Sequence, residues 1–82
     1  IEVDPKPYKN PNNYIKLSGR LADSLPNACW ANQFDNVDNR RAHYETTAPE
    51  IVAQLPTVTA FSCAVGTGGT LAGCAMYFRE HY

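Results

Sequence analysis

Residues 58–65 form a nearly continuous apolar run of strand length, and it passes directly into Gly66, Thr67, Gly68, Gly69 and Thr70. An apolar run without alternation is the pattern of a strand buried on both faces of a parallel sheet. Such a strand needs neighbours on both edges and helices above and below. This requirement constrains the fold more than any other feature of the chain.

The remaining residues offer partners of both kinds. Residues 1–3 read as the end of a strand. Residues 4–13 hold three prolines and three asparagines and read as a loop. Asn12 or Asn13 can cap a following helix in which Tyr14, Leu17, Leu21 and Leu25 share a face. Pro26 and Asn27 end it. Residues 28–33, with Trp30, read as a second strand, and the Asn- and Asp-rich residues 34–39 as a loop. A short helix is expected over 39–44. Thr47 and Glu50 have the spacing of a capping box, with Thr47 as N-cap of a helix whose stripe is Ala48, Ile51, Val52 and Leu55. Pro56 ends that helix. Leu71, Cys74, Ala75 and Phe78 give a final helical face. The order predicts an α/β class, a partial three-layer parallel-sheet fold. These elements are too few to enclose the 58–65 strand, so the chain reads as part of a larger assembly.

Composition narrows the function. A net charge of −1 leaves no basic footprint for nucleic acid, and the longest apolar run is far too short for a bilayer. The first residues resemble neither a signal nor a transit peptide, and the absence of an initiator Met points to a start partway through a longer protein. Eighty-two residues bury roughly 60–65% of their surface. Cys29, Cys63 and Cys74 are too widely spaced for a zinc site and too few to pair completely. Cys63 and Cys74 lie in apolar segments and read as buried free thiols, which favours a reducing compartment, cytoplasmic or mitochondrial.

The chemistry lies in 66–70. Glycines let backbone N–H groups converge, a helix N-terminus adds its positive end, and Thr67 and Thr70 add hydroxyls: together a phosphate cradle. A nucleotide-type loop needs Gly-Lys-Ser/Thr, and no Lys is present here. A dinucleotide turn needs Gly where Leu71 stands. A monophosphate handle such as that of pyridoxal phosphate fits the short loop. The alternative is a bare tight turn.

Several stretches together resemble the cysteine synthase family, a member of the second fold type of pyridoxal-phosphate enzymes. They are Asn32-Gln33-Phe34, His43-Tyr44-Glu45-Thr46-Thr47, Pro49-Glu50-Ile51, and the 65–70 loop with Gly73. Tyr14 and residues 18–22 resemble the helix before them in fungal members. The resemblance implies that Gly66, Thr67, Gly68, Gly69 and Thr70 bind the cofactor phosphate and that Gln33 lies near the substrate carboxylate. His43 is expected to brace the loop rather than act as a base. Residues 1–34 would end the smaller, substrate-side domain, and 35–82 would begin the larger, phosphate-binding one. Ala48 stands where the family usually has Gly, and 55–59 lack its usual Gly-rich turn and Asp.

The resemblance also implies what lies elsewhere. The lysine that binds the cofactor covalently and the substrate loop would be upstream, and the partner of the ring nitrogen downstream. None of Lys6, Lys9 and Lys16 is placed for that covalent role, so the 82 residues alone are expected to be inactive, with no catalytic residue of their own. The implied reaction makes cysteine from O-acetylserine and sulfide by β-replacement. The implied partners are an amino-acid substrate, the rest of a homodimeric parent or another chain completing the sheet, and neither nucleic acid nor membrane. The rival readings are a segment of cystathionine β-synthase and a non-catalytic paralogue serving as an interaction chain.

Overall fold

Asn13 starts the first helix because its side chain serves two backbones at once. Its Oδ1 accepts the Ile15 N–H at 3.0 Å, and its Nδ2 donates to the Lys6 carbonyl at 2.7 Å. The first contact satisfies an orphan donor of the helix, and the second ties the proline-rich loop to it. Asn10 shapes that loop by accepting the Asn12 N–H at 2.8 Å. The computed structural model describes all residues, Ile1–Tyr82. They fall into two compact units, Ile1–Asn32 and Gln33–Tyr82.

In the first unit, helix α1 spans Tyr14–Ser24. Leu25 leaves it in an extended conformation, as the residue before Pro26 must. Asn27 and Asn32 take positive φ, 58° and 45°. The Trp30 ring folds back onto α1 at Gly19, where a Cβ would lie 3.3 Å from it. Lys16 sits 4.8 Å above the Tyr8 ring.

The second unit is a helical run, a crossing segment and a last helix. Helix α2 (Asp38–Ala42) continues through a π-helical turn (His43–Thr47) into α3 (Ala48–Gln54), and α4 spans Gly69–His81. The π turn is closed by the Ala48 N–H donating to the His43 carbonyl, five residues back. It lies just where Pro49 would otherwise press on the Glu45 carbonyl and lacks the N–H to bond it. Widening the turn lets the helix absorb the proline without breaking. Glycines bring α4 close to this run. A Cβ at Gly73 would lie 2.2 Å from the Arg40 carbonyl oxygen and 2.9 Å from the Tyr44 nitrogen. Tyr44 meets Tyr77 edge-on at 5.5 Å, and its hydroxyl donates to Glu80. Ala48 and Cys74 are fully buried. No helix is long and apolar enough to cross a membrane.

Three expectations are corrected. The strands at 1–3, 28–33 and 58–65 do not form, and half of the residues are helical with no sheet. A strand exists through its neighbour's hydrogen bonds, and no second segment pairs with 58–65. Side chains of α4 and of Tyr82 just after it hold the segment from Pro56 to Phe61 instead. Phe61 packs edge-on against Phe78 at 5.4 Å, and the Tyr82 hydroxyl donates to the Pro56 carbonyl at 2.7 Å. Val65 is left 60% exposed and Leu71 38%. Next, Thr47 is not an N-cap. Its φ and ψ of −57° and −47° are helical and its hydroxyl caps no amide, because the helix already runs through it. Last, Cys63 is exposed, since the expected sheet that would cover it is absent.

Two outcomes follow from this packing. Maleimide labelling of the native chain should modify Cys29 and Cys63 and spare Cys74. That thiol is buried and its pKa is raised, first by burial and then by the Cys63 thiol; labelling of all three at one rate would contradict the packing. Gly73→Ala should cost about 1–3 kcal/mol by urea unfolding, because the new methyl meets backbone rather than a movable side chain.

Candidate functional site

Gly68 makes the loop turn. Its φ of +87° lies in the left-handed region that other L-residues avoid, and it serves as the N-cap of α4. The helix's first bond runs from the Ala72 N–H to the Gly68 carbonyl at 2.9 Å. The amides of Thr70 and Leu71 in the first turn therefore have no helical carbonyl to bond. Gly69 N–H reaches the Thr67 hydroxyl only at 3.5 Å. The loop thus opens a helix and presents donors, as a cradle for a small anion requires.

Beside it lies an open cavity of about 190 Å³, lined in part by Gln33, Asn39, Arg40, Thr67, Gly68 and Gly69. Asp35 and Arg40 contribute one charge of each sign. Of the residues expected at the site, Gln33, Thr67, Gly68 and Gly69 meet on this cavity. Gly66 and Thr70 do not line it. Thr70 turns toward His43, whose Nε2 is 3.3 Å from the Thr70 hydroxyl and whose Nδ1 is 2.9 Å from the Thr47 hydroxyl. His43 is half-buried between two threonines, a bracing position.

Asn39 is the residue that sequence reasoning missed. Its Nδ2 donates to the Gln33 carbonyl at 3.0 Å and to the Thr67 hydroxyl at 2.8 Å, joining the two sides of the cavity. A Cβ at Gly69 would lie 2.1 Å from Asn39 Oδ1, so glycine is needed there for Asn39 as well as for the turn. The bond to Thr67 is not visible in local spacing, because Thr67 lies 28 residues away. The one available signal was an Asn opening a short helix in line with a glycine-rich loop.

A sequence profile described as pyridoxal-phosphate dependent enzyme matches residues 1–82. Cysteine synthase 1 of Neurospora crassa is 55% identical over 83 residues, covering 96% of this chain and 22% of that protein. Cysteine synthase 1 of Emericella nidulans is 54% identical over the same shares. The chain belongs to the pyridoxal-phosphate-dependent enzymes. A Helicobacter pylori cysteine synthase is 49% identical over 67 residues, 80% of this chain and 22% of that protein. The chain spans about a fifth of the length of these curated relatives. No solved structure matches it. Ala48 is fully buried in helical conformation, with φ −67° and ψ −45°, where a Cβ fits and Gly would weaken the helix.

Gly69→Ala should displace the Asn39 amide while leaving most of α4 intact. The checks are retained far-UV helicity together with lost exchange protection of the Asn39 side-chain protons; unchanged protection would show that Asn39 is not held as described.

Proposed function

We propose that this chain is a segment of a cysteine synthase, that its residues 66–70 hold the phosphate of pyridoxal phosphate, and that Gln33 lies on the side of the substrate carboxylate. The protein would make cysteine from O-acetylserine and sulfide by β-replacement, as a transferase of cysteine biosynthesis. The observation that carries this reading is the left-handed Gly68 at the head of α4 in a chain of this family. The residues fit a compact anion. Thr67 offers a hydroxyl, the first turn of α4 offers free amides, and the helix dipole adds to both. The loop contains no lysine or arginine, so the grip comes from oriented neutral donors.

When bound, the cofactor supplies the electron sink for loss of acetate from the β-carbon. The chain's own part is to anchor and orient. Gly66, Thr67, Gly68, Gly69 and Thr70 would hold the phosphate end, Gln33 would receive a carboxylate, and His43 would keep the 66–70 loop from shifting. Residues 1–34 and 35–82 would belong to the smaller and larger domains, with 58–65 joining a parallel sheet in the homodimeric parent. Its compartment would be cytoplasm or mitochondrion, where Cys29 and Cys63 persist as exposed thiols.

All lysines of the chain, Lys6, Lys9 and Lys16, lie in the unit Ile1–Asn32. Lys16 is engaged with Tyr8. On the family resemblance the covalent lysine lies outside these residues, so the 82 residues with pyridoxal phosphate, O-acetylserine and sulfide should form no cysteine, while a protein of the relatives' full length carrying them should. Binding should be at least about tenfold tighter for pyridoxal phosphate than for pyridoxal, the gain expected of one or two charge-assisted hydrogen bonds. Equal affinity would remove the phosphate role. A single stoichiometric adduct on Lys6, Lys9 or Lys16 after borohydride reduction, with cysteine formed, would overturn the inactivity of the isolated chain.

A further inference from the structure

The Asn39 side chain has one amide nitrogen and two hydrogens, and both are spent. The Gln33 carbonyl can only accept, so the atom 3.0 Å from it must be Nδ2, which fixes the orientation of the amide. The same Nδ2 faces the Thr67 hydroxyl at 2.8 Å. Thr67 Oγ1 is therefore an acceptor toward Asn39, and it receives the Gly69 N–H as a weaker second donor at 3.5 Å. A hydroxyl has two acceptor lone pairs and one proton. With both lone pairs facing N–H groups, only the proton remains. No acceptor in the protein takes it, and Thr67 lines the cavity with Gly68 and Gly69.

We propose that Asn39 is a positioning residue that makes Thr67 a pure hydrogen-bond donor toward the cavity, so that the loop selects ligand groups presenting only acceptor oxygens. This rests on the reading of 66–70 as a phosphate loop and adds its polarity. Without Asn39 the hydroxyl is free to rotate, and the ligand must itself supply the order. With Asn39 the order is present beforehand, which is how preorganisation raises affinity. The other amide hydrogen holds the Gln33 carbonyl, so one side chain sets the phosphate side and steadies the backbone of the proposed substrate side.

The experiment is a double-mutant cycle read by inorganic phosphate affinity. Amide shifts of residues 66–71 are followed by NMR in the parent chain, Asn39→Ala, Thr67→Val and the double variant. Each single variant should weaken phosphate binding about five- to tenfold, the scale of one hydrogen bond to a charged group. If Asn39 acts through Thr67, the double variant should bind no more weakly than Thr67→Val alone. Weakening equal to the product of the two single effects, or parent-like affinity in Asn39→Ala, overturns the proposal. An absence of phosphate-induced shifts in the parent overturns the phosphate-loop reading itself, a distinct result. If Asn39→Ala loses its helical signature, the parent carries the test. Both Asn39 amide protons should stay protected from exchange when phosphate is bound, and loss of that protection on binding overturns the proposal.

Discussion

The close approach of α4 to the Arg40 carbonyl, made possible by Gly73, sets the geometry of the second unit. Helices this near must share a register, and three contacts express it. Asn39 meets Gly69, His43 meets Thr70, and Arg40, His43 and Tyr44 crowd Gly73. Positions 39, 40 and 43 on one helix and 69, 70 and 73 on the other have the same i, i+1, i+4 spacing of a single helical face. The glycine at 73 is thus a positional device. It sets the distance at which an asparagine on one helix can reach a threonine just before the other.

The π turn belongs to the same design. A regular α-helix through Pro49 would lose the bond to the Glu45 carbonyl and clash with it. A break there would free 43–47 as a loop and release His43. The wider turn keeps the helix whole, lets His43 and Thr47 meet across one turn at 2.9 Å, and delivers the other ring nitrogen to Thr70. Ala48 follows at once in ordinary helical geometry and is fully buried. Insertions of this kind recur at functional sites because they aim side chains that a regular helix would misdirect.

What could be read from the sequence was what depends on neighbours in the chain. The Asn13 cap, the stop before Pro26 and the glycine turn into α4 all rest on contacts within a few residues, and all formed. What could not be read depends on distant or missing partners. The Thr47–Glu50 spacing fits the interior of a helix as well as its start, and only the preceding residues 38–46 decide between the two. The 58–65 run was legible as a need for two neighbours and two covering layers. Pattern records the environment a segment suits, and the 82 residues leave Val65 and Leu71 exposed rather than supplying that environment. Asn39 lay beyond reach because its bond to Thr67, 28 residues away, is set by tertiary register.

A loop proposed to hold an anion with amides and hydroxyls alone would depend on geometry to a degree that a cationic site does not. A lysine's charge acts over several ångströms and tolerates displacement, whereas a hydrogen bond weakens steeply as its angle closes. Of the charges lining the cavity, Asp35 and Arg40 oppose each other, so net charge adds little attraction there. On the proposed reading, selectivity would then come from where each N–H and O–H points. Gly68 points the amides through its left-handed turn, Gly69 leaves room for Asn39, and Asn39 settles the one hydroxyl at the cavity wall that could otherwise point either way. The glycines and the asparagine are therefore not independent features of the loop: moving any one of them changes the donor pattern that the others create.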